Sequence, residues 1–405
     1  MSPKTIIILV ISLFSFFSCC DNTHHDDQPS RTVLVYMSAD NNLSSFASTN
    51  ISGIRRGTQN NKIGVNNILV YVDRLSRDPL LLDIKDGVID TVKTYQNSRS
   101  AGTAETLSSV IEDVRRLYRS ESYGLLLWGH GTGWLPSISD LGTSRAFRPS
   151  AIEPYRPTIT RSYGSDTNGI SMSMKQLQEA IPDGVFDFIM FDACYMANVE
   201  VAYSLKDKTK YIISSVAEIW DTGIPYDRIV AQLFSEEIET GLKSICDEFY
   251  NYYYNNEANR DQSATMSIVK TSELSRLAEE TGKILKANKE SAETLSLEGV
   301  QAFDRPRLFY NNLYPSSPET HILYDLTDYI THIASEEELS LFLDIMEQTV
   351  IYEKHTDSMF KAGLDRYPGF DVNIHSGLTI YPYYTLDLPI NTNYRHLDWY
   401  KKVHE

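Results

Sequence analysis

Tyr123-Gly-Leu-Leu-Leu-Trp-Gly-His-Gly-Thr-Gly-Trp134 and Phe186-Asp-Phe-Ile-Met-Phe-Asp-Ala-Cys-Tyr-Met196 are the two stretches that decide how this chain folds. Each is an apolar run with strand character that ends in a reactive side chain, His130 in the first and Cys194 in the second. Small residues follow the histidine, and a carboxylate, Asp192, precedes the cysteine. A thiol and an imidazole at the ends of neighbouring strands are what a cysteine hydrolase needs. The thiolate attacks a carbonyl and the imidazole manages the protons.

Outward from these runs, strands and helices alternate. Thr32–Met37 reads as a buried strand, with a helix from about Leu43 to Arg56, and Asn67–Asp73 as the next strand. Residues 79–95 read as a hairpin turning at Lys85-Asp-Gly87. Leu107, Val110, Ile111, Val114 and Leu117 recur at helical spacing behind a capping Thr103, with Thr106 in the first turn. After the His130 strand, residues 135–168 are polar and rich in Ser, Pro, Arg and Gly, the composition of a long functional loop. A short helix (Met172–Ile181), the Cys194 strand, a helix through Leu205 and a strand at Tyr211–Val216 complete the pattern. Near-continuous apolar strands alternating with helices predict a mostly parallel sheet covered on both faces. Ligands of such sheets bind beyond the carboxyl ends of the strands, where His130 and Cys194 both lie.

The second half reads as more helical. Helices are predicted over 225–256, 272–290, 322–333 and 335–352, with strands at Thr265–Val269 and Ser376–Tyr381 and a closing helix near Tyr394–Lys402. This divides the chain into a catalytic core, 31–260, and a C-terminal region, 261–405, packed on it as an accessory layer.

The first residues read as an address. Lys4 precedes an apolar stretch over residues 5–18, shorter than the roughly 20 residues that span a bilayer as a helix. It fits the apolar region of a secretory signal. Cys19 and Cys20 follow at once, and the arrangement resembles a bacterial lipoprotein signal in which one cysteine is lipidated. Cys20 is preferred over Cys19, although the residues before either depart from the usual small-residue pattern. Residues 1–20 are then signal, and 21–30 a flexible tether. Of the four cysteines only Cys194 and Cys246 remain for the folded part. Cys246 lies in a helical pattern and reads as a buried apolar residue. The formal net charge of −17 argues against a nucleic-acid partner. The 26 tyrosines read as surface and interface usage.

The motifs Trp128-Gly-His-Gly-Thr-Gly-Trp134 and Phe191-Asp-Ala-Cys-Tyr-Met-Ala197 resemble those of the clostripain family of cysteine peptidases, in the clan that holds caspases, legumains and gingipains. Met37-Ser-Ala-Asp-Asn-Asn-Leu43 resembles the family's first strand and loop. Tyr324–Asp328, Ser376–Tyr381 and Asn393–Tyr400 resemble its C-terminal region. The resemblance implies a caspase-like three-layer α/β/α sandwich and a Cys–His dyad without a third catalytic side chain. Cys194 is then the nucleophile and His130 the general acid/base, with the backbone N–H groups of Gly131 and Cys194 holding the oxyanion. It also implies cleavage after Arg or Lys, because a desolvated acid pairs well with a cationic side chain. Asp192 matches the family's pocket aspartate. Asp221, and after it Glu218, are candidates for a second acid, although Ile219-Trp-Asp-Thr-Gly-Ile224 departs from the family pattern. Self-cleavage in the loop after the histidine is implied as well, with Arg145, nearest the family position, Arg148, Arg156 and Arg161 as candidate sites.

No metal or cofactor is required by this chemistry. Some relatives respond to calcium, but no EF-hand spacing or compact acidic cluster stands in the sequence. The partners expected are protein or peptide substrates with Arg or Lys, and a membrane reached through the lipid anchor; the chain itself is expected to be a monomer. Two other readings keep the same fold: a catalytically silent binding or scaffold lipoprotein, and a transpeptidase or ligase in which an amine resolves the acyl-enzyme.

Overall fold

The computed structural model describes residues 30–96, 100–135, 162–255, 262–305, 321–360, 369–386, 388 and 390–405. The sequence readings for residues 1–29, including Cys19 and Cys20, and for Arg145, Arg148, Arg156 and Arg161 lie outside the described residues. The strands are β1 (Arg31–Ala39), β2 (Asn67–Arg74), β3 (Leu80–Lys85), β4 (Val88–Thr94), β5 (Ser122–Trp128), β6 (Phe186–Asp192), β7 (Thr209–Ser214), β8 (Thr265–Lys270), β9 (Tyr324–Asp325) and β10 (Val350–His355). All but β9 form a nine-stranded sheet in the order β10-β8-β7-β6-β5-β1-β2-β3-β4. The centre, from β7 through β6, β5 and β1 to β2, is parallel. Antiparallel strands finish both edges: β3 and β4 on one side, β8 and β10 on the other.

Period-two alternation assigns the strand residues to two cores. Leu34, Tyr36, Leu69, Tyr71, Leu125, Leu127, Ile189 and Phe191 face one. Val33, Val35, Met37, Ile68, Val70, Leu126, Trp128, Phe188 and Met190 face the other. Helices α2 (Ala104–Leu117), α3 (Met174–Ala180), α4 (Val199–Ser204) and α7 (Leu274–Ala287), with those at Glu336–Thr349 and Asp398–His404, cover the first face. Helices α1 (Ser44–Asn60), α5 (Tyr226–Ile229) and α6 (Ile238–Tyr254) cover the second. The result is a caspase-like three-layer α/β/α sandwich. Residues on both sides of position 260 contribute strands to its one sheet.

Local chemistry explains most boundaries. Thr103 caps α2 by accepting from the Thr106 N–H at 3.3 Å. Asp86 and Gly87, with φ of 51° and 81°, make the hairpin turn between β3 and β4. Several readings of the second half need correction. The predicted helix over 225–256 is broken, because the Arg31 guanidinium binds the carbonyls of Leu233 and Ser235 and ends a turn there. The helix predicted over 335–352 stops at Thr349, and Val350–His355 become an edge strand paired with β8. The run starting at 322 opens as β9, and only Thr379–Ile380 of the predicted late strand pair, with β9 and outside the main sheet. The tyrosines are not chiefly surface residues. Tyr36, Tyr71, Tyr163, Tyr226, Tyr253, Tyr329, Tyr381 and Tyr394 are fully buried. A phenol can fill apolar space and still satisfy a backbone carbonyl, as Tyr36 does with Ala101 (2.9 Å).

The approach of β5 to β6 is close enough to test. A Cβ on Gly124 would lie 2.3 Å from the Phe188 ring. Gly124→Ala is expected to destabilise the fold by about 1–3 kcal/mol in denaturant unfolding, and adding Phe188→Leu to recover much of that loss.

Candidate active site

Parallel pairing of β5 and β6 sets Trp128 beside Asp192, so His130 and Cys194 leave the sheet together at its carboxyl edge. The chain turns sharply at Gly129 (φ 150°), whose N–H donates to the Asp192 carbonyl (3.2 Å). After His130 the backbone forms a short antiparallel bridge with residues that follow the long loop. Thr132 N–H donates to Ser162 (3.0 Å), and Gly164 N–H to the His130 carbonyl (2.9 Å). Gly131 occupies the non-hydrogen-bonded position of that bridge, opposite Tyr163, so its N–H turns away from the partner strand. Among the described residues neither the Gly131 nor the Cys194 N–H donates a hydrogen bond.

Gly131 also lies against the cysteine segment. A Cβ there would meet the Cys194 carbonyl oxygen at 2.6 Å and the Met196 sulfur at 2.9 Å. Beneath it, the fully buried Tyr163 donates its hydroxyl to the carbonyls of Tyr36 (3.1 Å) and Trp128 (3.0 Å). It ties the ends of β1 and β5 together.

The loop after β1 reaches the histidine. Asn42 Oδ1 lies 2.8 Å from His130 Nε2. With the amide oxygen accepting, Nε2 carries the proton and Nδ1 is the basic nitrogen. The sequence reading assigned Asn42 no role. Its signal was the Ser38–Leu43 loop, whose position at the carboxyl edge beside β5 only the strand order reveals.

Cys194 sits under a second loop, residues 215–224. Tyr195 N–H donates to the Ala217 carbonyl and Ala197 N–H to that of Ser215, both at 2.9 Å. The sulfur accepts from the Ile219 N–H (3.4 Å) and points its S–H at the Ile219 carbonyl (3.6 Å). Tyr195, directly after the thiol, is held at φ 59°, a left-handed conformation that costs a non-glycine residue about 1–2 kcal/mol. Thiol and imidazole do not hydrogen-bond to each other in this state. Desolvation, and after it the nearby Glu218 charge, push the thiol up to about 12. Desolvation brings the imidazole down to about 4. Burial thus favours the neutral form of each group. Cys194 and Cys246 are free thiols, and Cys246 is buried in the α6 core.

The three candidate acids differ. Asp192 is buried at the base of the loop, where Oδ2 accepts from the Ile224 N–H (3.2 Å) and the Tyr226 hydroxyl (2.9 Å). Burial raises its carboxyl to about 6. Gly223 lies directly over it, at φ 67°, and a Cβ there would come within 2.7 Å of Oδ2. Asp221, two residues earlier on the same loop, keeps part of its surface exposed. Glu218 is committed elsewhere, in an ion pair with Arg305, and both side chains are largely buried. The Arg305 guanidinium stacks on Phe360, 5.1 Å from the ring centre. Arg305 gave no signal in the sequence, because it arrives from the distant C-terminal region.

Known proteins share this architecture. Clostripain of Hathewaya histolytica is 22% identical over 234 residues, 49% of this chain and 41% of its own length. That alignment thus spans less than half of the curated relative. An inactive zymogen C11 protease from Parabacteroides distasonis superposes with a TM-score of 0.77 at 32% identity, covering 93% of this chain and 99% of that one. A secreted C11 cysteine protease from Bacteroides thetaiotaomicron, solved with an irreversible peptide inhibitor, gives a TM-score of 0.74 at 27% identity with the same coverage. The clostripain family profile matches residues 35–404. With that match over nearly the whole described fold, and with the thiol and imidazole motifs delivered to one sheet edge, the chain belongs to the clostripain family of cysteine peptidases.

Proposed function

We propose that the protein is an exported cysteine endopeptidase that cleaves after Arg or Lys. Cys194 is the nucleophile and His130 the general acid/base. The observation that carries this reading is the convergence, at one sheet edge, of Cys194, His130 and two backbone N–H groups without acceptors among the described residues. In the reaction His130 takes the thiol proton as sulfur bonds to the scissile carbonyl carbon. The Gly131 and Cys194 N–H groups receive the resulting oxyanion. The imidazolium then protonates the leaving amine, and water, deprotonated by the same ring, hydrolyses the thioester. Asn42 acts as a positioning residue that holds the ring and its tautomer. No cofactor enters these steps.

The preference for a cationic residue is supported by Asp192 at the base of the 215–224 loop and by Asp221 on it. Glu218 is already paired with Arg305, so it braces the loop in place of binding substrate. Self-processing at Arg145 or Arg148 fits the bridge between residues 131–132 and 162–164, which holds both flanks of that loop. Cys20, or Cys19, would carry the lipid anchor.

A fluorogenic panel with Arg, Lys, Asp, Asn or Leu before the reporter tests the reading. Turnover is expected on Arg and Lys alone and to vanish in Cys194→Ala and His130→Ala. Asp221→Asn should lower kcat/KM for the Arg substrate roughly 10- to 100-fold, the worth of one charge-assisted bond. Asn42→Ala should lower kcat and leave KM nearly unchanged. Activity on Asp or Asn substrates instead would overturn the pocket assignment, and an inert protein whose Cys194 resists peptidyl electrophiles would overturn the enzyme.

The neutral pair makes a second prediction. The thiol is raised, so the thiolate fraction grows tenfold per pH unit across pH 6–9, and alkylation of Cys194 by iodoacetamide should rise in step without a plateau. Glu218→Gln removes a negative neighbour that holds the thiol up. It is expected to accelerate alkylation at pH 7 while destabilising the fold by stranding Arg305. A plateau near pH 7 in the wild-type profile would show a preformed ion pair instead.

A further inference from the structure

Away from the thiol, Glu353 and His355 on β10 and His375 on the segment before Gly377 each offer one ligand atom, and these atoms lie within 4.8 Å of one another. We propose that they form a binding site for a divalent transition metal of the zinc class. Two neutral imidazoles and one carboxylate are a zinc-type donor set, with a fourth position left for water.

The fold builds this cluster deliberately. Glu353 and His355 stand two apart on a strand, so both project from one face. Lys354, between them, turns to the other face and meets Asp247 at 3.6 Å, which keeps its positive charge off the site. On β8, Ser267 is the register partner of Glu353. Its hydroxyl donates to the Gly377 carbonyl (2.6 Å) and so pins the His375 segment over the strand. Gly377, at φ 83°, leaves no room for a Cβ, which would lie 2.8 Å from Val350 and 2.9 Å from Ser267. The His355 and His375 rings are 5.0 Å apart.

His375 supplies a second observation. Its side chain is fully buried, Nδ1 lies 2.6 Å from Glu353 Oε2, and Nε2 has no hydrogen-bond partner. Among the described residues the protein therefore places in its interior a basic ring that it leaves incompletely bonded, next to a carboxylate and a second imidazole. A tetrahedral ion at ligand distances of 2.0–2.1 Å needs donor atoms about 3.4 Å apart. If Nδ1 is the ligand, the 2.6 Å contact has only to open by a side-chain rotation, with release of the shared proton.

Bound there, the ion would join the sheet edge to residues 370–377. That segment pairs with Ser358–Met359 and delivers Val372 into the apolar cluster of Val216, Ala217, Met359 and Phe360. Ala217 is the residue whose carbonyl holds Tyr195, next to the thiol. The site would thus brace the outer wall of the 215–224 loop without touching substrate.

The test uses the whole chain carrying Cys194→Ala, His24→Ala and His25→Ala in every arm, which removes the reactive thiol and a histidine pair able to hold metal. After chelation the protein is titrated with Zn²⁺ by calorimetry and with Co²⁺ by visible absorption. One ion per chain is expected, with a Tm rise of about 3 °C at a hundredfold excess over Kd. Adding His355→Ala or Glu353→Gln should weaken binding roughly 100-fold, with far-ultraviolet circular dichroism unchanged. His355 and Glu353 are only partly buried, so these variants keep the fold when His375→Ala does not. Equal binding in the parent and the His355→Ala variant, or no ion bound at all, would overturn the proposal. Neither result bears on peptidase activity, which is absent from all arms.

Discussion

The site depends on one parallel register, the pairing that places Trp128 of β5 beside Asp192 of β6. Both strands are buried on both faces, so each alternate side chain is committed to one of two cores. A slip of one residue would send Phe188 and Met190 to the wrong core and carry Cys194 away from His130. The apolar runs therefore do more than bury surface. They hold a thiol and an imidazole at a fixed offset beyond the sheet, where backbone groups are free to bind a ligand.

Glycine makes that edge usable. Gly131 and Gly223 stand where a side chain would collide, the first with the Cys194 carbonyl and the second with Asp192. Their absence of a Cβ lets two loops close over the cysteine and still leave backbone N–H groups facing outward. The cost appears as strain and buried charge: Tyr195 at positive φ, Asp192 raised by desolvation, and the Glu218–Arg305 pair under the loop. Asp192 is held by two hydrogen bonds, and Glu218 and Arg305 by their mutual ion pair. The same surroundings, by desolvation, favour the protonated thiol.

The strand–helix alternation, the hairpin at Asp86-Gly87 and the capped α2 helix were all legible in the chain, since each rests on contacts a few residues apart. So was the convergence of His130 and Cys194, because period-two burial and parallel strands leave few other arrangements. The edge strand β10 was not legible. Ile345, Met346 and Thr349 carry the helical pattern up to Val350, and only pairing with β8 turns the next residues into a strand. The buried tyrosines were misread for a related reason: a phenol belongs inside only when a carbonyl waits for it there.

Short-range contacts and alternating burial made the layered sheet legible, and the two motifs, through their family resemblance, singled out Cys194 and His130. Long-range contact settled the rest. Asn42 meets His130 across neighbouring strands, Arg305 claims Glu218 from the C-terminal region, and His375 reaches Glu353 and His355 across the sheet edge. Each pairing joins segments whose separation in the chain carries no trace of their contact, because electrostatic and hydrogen-bond partners are chosen by distance in space, not by spacing in sequence.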